Sequence, residues 1–259
     1  MTGEVRRRVL GVDIGGTSIK AAPVDVDGGR VLLDDPEEVE TPSPGTAEQL
    51  AVAVASLRAT LSWPDDRPVG ATFPGAVRFG VVHTAVNLDG SNVGVDLAAR
   101  LGATVLNDAD AAGLAEARFG AARGCRGTVV LVTLGTGLGT ALLHGGRLVP
   151  NCELGAVEIG GRPASETVSR KGREDEGLDW STYATHVAAY VRRLEVLVDP
   201  ELVVLGGGGS EDAGHFLPQV CDEVDVRVAQ AAYENDAGIL GAALAAASNQ
   251  RRFGDLGTA

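Results

Sequence analysis

A short apolar run that ends in a glycine turn occurs twice in the chain, and this repeat limits the folds that the chain can adopt. The first run, Val9–Val12, stops at Asp13-Ile14-Gly15-Gly16-Thr17, and the second, Thr128–Leu134, stops at Gly135-Thr136-Gly137-Leu138-Gly139. Apolar runs of this length bounded by glycine are typical of buried strands. The copies lie about 120 positions apart, close to half of the 259 residues. The repeat therefore predicts two similar lobes.

Each glycine turn leads into a predicted β-hairpin, and strands alternate with helices through the rest of the chain. Asp27-Gly28-Gly29 and His144-Gly145-Gly146 are typical hairpin turns. The predicted strands are Ile19–Val26, Arg30–Val39, Val69–Phe73, Thr104–Leu106, Ala141–Leu143, Arg147–Val149, Leu202–Leu205 and Val224–Val228. The predicted helices are Thr46–Leu61, Asp96–Leu101, Ala109–Phe119, Ser181–Val198, Ala213–Val220 and Ala237–Ala247, the last capped by Asp236. This alternation indicates an α/β fold.

The remaining segments complete the predicted domain organisation. We expect a loop-rich passage over Val77–Asn92, and an exposed, mobile loop over the polar segment Gly160–Asp179. Residues 1–110, completed by the C-terminal helix 236–248, are expected to form a small lobe. Residues 111–235 are expected to form the large lobe, and residues 249–259 a disordered tail.

Charge and composition argue against several functions. The formal net charge of −13 disfavours nucleic acid as the main partner, because neutralising phosphates requires basic patches. No apolar run approaches the length of a membrane span, and the N-terminus lacks the apolar region of a signal peptide, so we expect no membrane association. Cys125, Cys152 and Cys221 are far apart and odd in number, which fits a reducing cytoplasm. We therefore expect a cytoplasmic protein.

The stretch Leu106–Glu116 places polar side chains where a predicted strand meets a predicted helix. Asn107 and Asp108 follow the apolar run Thr104–Leu106 and precede an Ala-rich segment. Both residue types are favoured helix caps, and capping alone would explain them. A carboxylate beside an amide at such a corner is also well placed to meet a ligand. Because glycine turns flank this stretch on both sides in the chain, we interpret it as a candidate catalytic site.

Three predicted strands end in glycine turns, at Gly15-Gly16, Gly135–Gly139 and Gly206–Gly209. Glycine lets backbone N–H groups approach phosphate oxygens without interference from a Cβ atom, although tight strand-to-strand turns also need it. The sequence contains no G-x-x-x-x-G-K-[ST] P-loop, and Thr140 stands where the dinucleotide-binding fingerprint needs its third glycine. The H-R-D, zincin and G-x-S-x-G motifs are also missing. The turns therefore favour an anionic ligand bound in another way.

Several ordered motifs resemble those of the ROK family of sugar kinases. They are Asp13–Thr17, Leu106–Glu116, Thr133–Gly137 with Gly139-Thr140, and Glu153-Leu154-Gly155. Within that family the chain is most similar to the polyphosphate glucokinases, through Asn107–Glu116, Leu148–Asn151 and Asn235–Gly238. The resemblance runs from about Val9 to Ala247 and so covers nearly the whole chain. It implies a two-lobed, actin-like ATPase (ribonuclease H-like) fold, which agrees with the repeat.

The resemblance also implies roles for individual residues. Asp108 would be the general base that accepts the proton of the sugar hydroxyl, and Asn107 would hydrogen-bond a neighbouring hydroxyl. Further sugar contacts map onto Asn87, Glu153 and Glu166, with Glu158 as a competing candidate for Glu166. Contacts to the phosphoryl donor map onto Asp13, Gly15, Gly16, Thr17, Lys20, Thr133, Gly135, Thr136, Gly137, Gly206, Gly207 and Gly208. Asp13 would also hold Mg²⁺, mostly through water.

The sequence departs from the family pattern at one sugar-binding position. The family continues Glu-x-Gly with a histidine, whereas this chain has Ala156 after Glu153-Leu154-Gly155. In many members that histidine also binds a structural zinc together with a cysteine cluster, which this chain lacks too, so no zinc is expected. Two consequences are open: either glucose is held more weakly, or the pocket accepts a different or larger sugar.

A second departure concerns the phosphoryl donor. Polyphosphate-using relatives carry basic residues after the C-terminal glycine turn, where this chain has Glu211 and Asp212. These carboxylates and the negative net charge would repel a polyanion. A set of basic residues offers an alternative path for the donor, although solvated surface is the simpler interpretation. The set comprises Arg123, Arg126, Arg170, Lys171 and Arg173. Polyphosphate and ATP therefore both remain candidate donors.

Two functional hypotheses follow. The first is a hexokinase-type enzyme that transfers a phosphoryl group from polyphosphate or ATP, with Mg²⁺, to the 6-hydroxyl of glucose or a related hexose. The second is a sugar-binding or regulatory protein that has lost turnover, which Ala156 and the acidic pair motivate. The family's repressors carry an N-terminal DNA-binding domain, and only eight residues precede the first predicted strand, so we expect a kinase rather than a repressor. A homodimer is implied by the resemblance alone.

Overall fold

The computed structural model describes residues 7–233 and 236–248. Its contacts divide the chain into two compact units. The first unit runs to Ala111 and resumes at Asp236, and the second begins at Ala112. Residues 249–259, for which we expect disorder, lie outside the described ranges. Asn235, part of one of the family motifs, also lies outside them. None of the described helices has the length and apolar character of a membrane span.

The first unit contains a six-stranded mixed sheet with helices packed against it, and a separate two-stranded sheet. Its strands are β1 (Arg8–Ile14), β2 (Ser18–Asp25), β3 (Arg30–Val31), β4 (Glu37–Glu40), β5 (Val69–Phe73), β6 (Val77–Arg78), β7 (Val81–Val82) and β8 (Thr104–Asn107). Its helices are α1 (Ala47–Thr60), α2 (Leu97–Leu101), the start of α3 (Asp108–Arg118) and α8 (Ala237–Ala247), with a 3₁₀ turn at Gly90–Asn92. The sheet order is β3-β2-β1-β5-β8, and β4 pairs with β2. A capping box between Thr46 and Gln49 starts α1.

The last helix of the described residues, α8, lies directly on the sheet of the first unit. A Cβ atom at Gly11 in β1 would collide with the backbone of Ile239, and one at Gly70 in β5 would collide with the backbone of Ala242. Glycine at these two positions is what allows the helix backbone to approach the strands so closely. Asp236 stands at the N-cap of α8, but its side chain makes no capping hydrogen bond, so the predicted cap is wrong.

The second unit repeats the sheet of the first. Its strands are β9 (Thr128–Leu134), β10 (Leu138–His144), β11 (Arg147–Val149), β12 (Glu158–Ile159), β13 (Arg162–Pro163), β14 (Leu202–Gly206) and β15 (Arg227–Gln230). Its helices are α4 (Ala164–Thr167), α5 (Arg170–Glu176), α6 (Trp180–Val198) and α7 (Leu217–Glu223), with 3₁₀ segments at Leu154–Ala156 and Gly208–His215. The order β11-β10-β9-β14-β15 places a hairpin beside two parallel strands, as in the first unit. The predicted duplication of strand, glycine turn and hairpin is confirmed.

The segment Gly160–Asp179, predicted as a mobile loop, instead contains β13, α4 and α5. The prediction is wrong. The segment has too few apolar side chains to show a helix or strand pattern, and most of its order comes from local polar contacts. Ser169 caps α5 by accepting a hydrogen bond from the N–H of Gly172 at 3.0 Å, and Gly177 ends α5 in the left-handed conformation. Ala164 and Val168 are fully buried.

Other predicted boundaries also shift. The single strand Arg30–Val39 is two short strands, β3 and β4, with Pro36 in the break. The passage Val77–Asn92 holds the β6–β7 hairpin and a 3₁₀ turn. The helix predicted at Ala213–Val220 is a 3₁₀ segment followed by α7, which has proline in its first turn. The strand predicted at Val224–Val228 lies at Arg227–Gln230, and α3 begins one residue before the predicted Ala109.

A buried carboxylate, that of Glu116, holds three backbone N–H groups of the second unit. One oxygen accepts hydrogen bonds from Ala232 at 2.9 Å and Tyr233 at 2.8 Å, and the other accepts one from Ala121 at 2.7 Å. The side chain is almost completely excluded from solvent. Glu116 therefore fixes the loop after β15 against the end of α3.

Glu116→Ala is expected to lower the free energy of unfolding by about 3 kcal/mol, because it leaves buried N–H groups without an acceptor. Glu195→Ala is the matched control, since Glu195 accepts from the N–H groups of Asp225 and Val226 at a position that is only partly buried. We expect a loss of about 1 kcal/mol for the control, because water replaces the carboxylate there. Urea unfolding measures both losses, and equal losses would contradict this account of Glu116.

Candidate functional site

Parallel pairing in the first unit brings three polar side chains to one edge of the sheet. Strands β1, β5 and β8 are neighbours, with Val12 opposite Ala71 and Phe73 opposite Asn107. Asp13, Thr72 and Asn107 therefore all lie near the carboxyl ends of these strands. This is the edge at which open α/β sheets bind ligands.

Asp13 is held by a threonine that the sequence analysis did not single out. The hydroxyl of Thr72 donates to the Asp13 carboxylate at 2.6 Å and accepts from the N–H of Ile14 at 2.9 Å. The first turn of α8 covers the carboxylate, since a Cβ atom at Gly238 would lie 2.7 Å from it. Burial raises the pKa of Asp13, and the Thr72 hydrogen bond and the charge of Lys20 only partly offset this. The signal available in the sequence was a polar residue within the apolar strand Val69–Phe73.

The turn after β1 is fixed mainly by backbone contacts. The N–H of Gly15 donates to the carbonyl of Ser18 at 2.9 Å, and the Thr41 hydroxyl donates to the carbonyl of Gly15 at 2.7 Å. Gly16 is exposed and packs against Asn87, whose backbone is left-handed with a φ of 59°. The structure therefore brings a predicted sugar contact, Asn87, next to the predicted donor turn.

Two further predicted donor contacts lie beside this turn. Thr17 is exposed, and its carbonyl accepts the N–H of Thr41 at 2.9 Å. Lys20 lies opposite Asp13 in the β1–β2 pair, with its ammonium group 4.0 Å from Glu38. Both residues are therefore accessible from the same end of the sheet.

Asn107 and Asp108, at the start of α3, differ in burial and in hydrogen bonding. Asn107 is buried; its amide donates to the carbonyl of Gly75 at 3.2 Å, and its side-chain oxygen accepts from the N–H of Asp110 at 3.1 Å. Asn107 is therefore a helix cap, as the capping interpretation predicts. Asp108 is exposed, and one of its oxygens accepts the N–H of Ala109 at 2.9 Å. The exposed carboxylate stands beside a fixed amide.

In the second unit, the two predicted glycine turns lie side by side. β9 and β14 are parallel, with Thr133 opposite Gly206, so both chains turn at the same edge of the sheet. In the first turn the N–H of Gly135 donates to the carbonyl of Gly137 at 3.0 Å. In the second, Gly207 has a φ of 74° and packs against Leu134. The predicted donor contacts Thr133, Gly135–Gly137 and Gly206–Gly208 thus form one group.

Helix α5 adds two cations to this group. The N–H of Lys171 donates to the carbonyl of Gly135 at 3.3 Å, and a Cβ atom at Gly208 would lie 3.4 Å from the guanidinium of Arg170. A cavity of about 430 Å³ opens here, lined by Gly135, Thr136, Arg170, Lys171, Glu174, Asp175 and Gly208. Arg170 and Lys171 are exposed, and both side chains line this cavity. Arg173 is directed elsewhere and stacks on Trp180, 3.7 Å from the ring centre.

The predicted sugar-binding glutamates of the second unit are all exposed. Glu153 lies on a loop held by Thr140, whose hydroxyl accepts the N–H of Leu154 at 2.9 Å and donates to the carbonyl of Cys152. Glu158 lies in β12. Glu166 lies in α4 rather than in a loop, 3.5 Å from Arg162. The roles of these side chains stay predictions.

Asp13 and its surroundings fit a magnesium ion that keeps most of its water. No group of three or more His, Cys, Asp or Glu side chains that could hold a metal is found within residues 7–233 and 236–248. A single carboxylate beside a hydroxyl at a phosphate-type turn is a donor set that Mg²⁺ accepts when the substrate's phosphates provide further oxygens.

Comparisons with known proteins agree with this arrangement. The ROK family model matches residues 9–160. The polyphosphate glucokinase of Mycobacterium tuberculosis (strain CDC 1551 / Oshkosh) is 39% identical over 251 residues, which cover 94% of this chain and 93% of the relative. The crystal structure of the inorganic polyphosphate/ATP-glucomannokinase from Arthrobacter sp. strain KM matches with a TM-score of 0.85 at 44% identity, covering 93% of this chain and 99% of that one.

A ROK family glucokinase from Streptomyces griseus, solved in complex with glucose and AMPPNP, matches with a TM-score of 0.77 at 25% identity. The match covers 93% of this chain and 99% of that one. The chain belongs to the ROK family. The predicted family and the predicted fold class are thereby confirmed.

In metal-free buffer, Asp13→Asn is expected to raise the midpoint of thermal unfolding at neutral pH. The pKa of Asp13 is raised in the folded protein, so ionisation of this group destabilises the wild type as the pH rises through the interval between the unfolded and folded pKa values. The gain should therefore shrink as the pH falls towards the ordinary aspartate pKa of 3.8.

Asp89→Asn is the control of opposite sign. Hydrogen bonds from Ser91 lower the pKa of Asp89, so its carboxylate contributes stability at neutral pH that is lost as the pH falls through the folded pKa. This substitution should lower the midpoint slightly at neutral pH. Equal, pH-independent shifts for both variants would contradict the assignment.

Proposed function

We propose that this chain transfers a phosphoryl group from polyphosphate or ATP to the 6-hydroxyl of glucose or a related hexose. The observation that carries the proposal is the exposed Asp108 carboxylate at the start of α3, beside the buried and doubly hydrogen-bonded amide of Asn107. Relatives matched over 94% of the chain are polyphosphate glucokinases, and these support the same reaction. The alternative of a sugar-binding protein without turnover is not favoured, because the relatives at 39% and 44% identity are a polyphosphate glucokinase and a glucomannokinase.

Asp108 acts as the general base. It accepts the proton of the sugar hydroxyl as that oxygen attacks the terminal phosphorus of the donor. The bond to the leaving oxygen is largely broken in such transition states, so a carboxylate of ordinary basicity suffices. Its larger contribution is to hold the hydroxyl in line with the phosphorus, because such positioning lowers the activation barrier by several kcal/mol.

Asn107 positions the sugar. Its amide is fixed by the carbonyl of Gly75 and by the N–H of Asp110, so it loses little freedom when it meets a hydroxyl. Asn87, Glu153 and Glu166 (with Glu158 as the competing candidate) supply further polar contacts. A hexose that leaves one of these groups unmatched is disfavoured by about 1–3 kcal/mol.

Each unit contains groups that suit a phosphoryl donor. Gly15, Gly16 and Thr17 of the first unit, with Lys20, present backbone N–H groups and a cation. The second unit presents Thr133, the two adjacent glycine turns and the cations of α5. Asp13, oriented by Thr72, would hold Mg²⁺ through water, and the ion would neutralise charge on the phosphate oxygens of the donor.

Three finer features belong to the same proposal. The reaction takes place in the cytoplasm, which the cysteine content supports. The resemblance to the family supports a homodimer. Ala156, which is exposed at the end of a 3₁₀ turn, leaves open space where the family has an imidazole.

An activity matrix of donors against sugars tests the reaction. We expect purified protein with Mg²⁺ to form hexose phosphate from glucose with polyphosphate, with ATP or with both. Mannose belongs in the matrix, since a relative at 44% identity is a glucomannokinase. A coupled assay that detects no hexose phosphate from any pairing would rule out the proposed function.

Ala156→His, run in the same matrix, tests the weakened sugar site. We expect the glucose KM to fall by about ten-fold, because an imidazole restores one hydrogen bond to the sugar. Ala156→Phe is the control, since it adds similar volume without a hydrogen bond. A glucose KM that Ala156→His leaves unchanged or raises, or that both variants lower equally, would contradict a weakened glucose site.

Asp108→Asn tests the general base. It is expected to lower kcat by at least about a hundred-fold while glucose binding, measured by titration calorimetry, changes little. Asp96→Asn is the matched control: Asp96 also begins a helix of the first unit, where it caps α2 by accepting the N–H of Ala99 at 2.9 Å. Asparagine is an equally good cap, so the control should keep full activity. Turnover within a few-fold of wild type in Asp108→Asn would contradict the assigned role.

A further inference from the structure

The cations that line the donor cavity of the second unit are already engaged by carboxylates of the same helix. Arg170 contacts Glu174 at 2.9 Å, and Lys171 contacts Asp175 at 2.7 Å. All four side chains line the cavity together with Gly135, Thr136 and Gly208. Any phosphate that reaches the glycine turns through this cavity meets two ion pairs rather than two free cations.

We propose that Glu174 and Asp175 are specificity-determining residues for the phosphoryl donor: they occupy Arg170 and Lys171 in the empty protein, and a phosphate chain has to displace them. The inference rests on the proposed function in that it takes this cavity as a donor site. It goes further because it states that two carboxylates lower the affinity for the donor by pairing with the cations that would bind its phosphates.

The surrounding charge strengthens this competition. Glu211 and Asp212 also face Arg170; together with the closer Glu174 they raise the pKa of its guanidinium. Two cations of the cavity are thus balanced by four carboxylates. A polyanion that approaches these cations is repelled by every carboxylate that it fails to displace. The acidic pair noted in the sequence therefore acts on the same cation as Glu174.

Displacement is nevertheless easy. The side chains of both pairs are about half exposed, and ion pairs of this spacing on helix surfaces change an equilibrium by only about two-fold each. A chain of phosphates that contacts both cations at once can therefore replace both carboxylates. The pairs reduce the donor affinity without preventing binding.

The proposal makes a distinctive prediction for the effect of salt. In the wild type, few anions from solution are bound at Arg170 and Lys171, so donor binding releases few of them. Once the carboxylates are neutralised, the two cations attract anions from the buffer, and a polyphosphate must release these on binding. The affinity should then rise at low salt and fall more steeply as salt is added.

The experiment compares Glu174→Gln, Asp175→Asn and the double variant with wild type. The polyphosphate KM and the dissociation constant from titration calorimetry are measured over a series of KCl concentrations. At low salt we expect both constants to fall by about two- to three-fold in each single variant and by about five- to ten-fold in the double variant. The glucose KM and the thermal midpoint should stay close to wild type, and the salt slope should be steeper.

Two controls separate competition from a general effect of charge. Glu48→Gln removes one exposed carboxylate of the first unit, which contacts Arg100 at 2.8 Å, and should leave the donor constants unchanged. Lys171→Met removes a cation of the cavity and should raise both the KM and the dissociation constant for polyphosphate. Unchanged donor constants and a salt slope parallel to wild type in the double variant would overturn the inference, as would an equal gain from Glu48→Gln.

The two proposals fail in different ways. If the wild type turns over no donor with any hexose, the proposed function fails, while the calorimetric constants still support or overturn the competition by the carboxylates. If turnover is normal but the double variant binds polyphosphate as wild type does, the inference fails alone. Running ATP beside polyphosphate shows whether a short donor gains less than a long one, as expected if fewer of its phosphates meet both cations.

Discussion

The parallel pairing of neighbouring strands is the constraint on which the candidate site residues of each unit depend. In the first unit it aligns β1, β5 and β8, so that Asp13, Thr72 and Asn107 reach the same edge. In the second unit it aligns β9 with β14 and sets two glycine turns next to each other. In each case backbone hydrogen bonds between strands bring together residues that are far apart in sequence, and in the first unit Thr72 then donates directly to Asp13.

Small residues on the sheet of the first unit determine the surroundings of Asp13. Glycine in β1 and β5 admits the backbone of α8, and the first turn of that helix then covers Asp13. Burial raises the pKa of the carboxylate, so ionisation of Asp13 lowers the stability of the fold at neutral pH. Thr72 offsets part of that cost with a single hydroxyl that both donates and accepts.

Features that depend on apolar periodicity or on turn chemistry could be predicted from the sequence. The duplicated strand, turn and hairpin, the helix at Thr46–Leu61 and the polar corner at Asn107 are of this kind, and the structure contains each of them. Helix α5 could not be predicted, because its order comes from a serine cap and from ion pairs at i,i+4 spacing within a polar segment. The sequence therefore favours a surface position for Arg170 and Lys171, and only the fold shows that they lie beside Gly135 and Gly208. Thr72 shows in the sequence only as a polar residue within Val69–Phe73, and its partners on the neighbouring strand leave no local pattern.

The order of the elements along the chain has a consequence for biosynthesis. The second unit is continuous from Ala112, whereas the first needs α8, which follows the whole of the second in sequence. A ribosome therefore exposes β1, β5 and β8 long before it delivers the helix that covers them. Until that helix emerges, the apolar face around Gly11 and Gly70 lacks its cover, and Asp13 remains fully hydrated. The nascent protein acquires its complete first unit only when synthesis has passed residue 248, which makes the C-terminal helix the last step in building the edge of the sheet that carries Asp108.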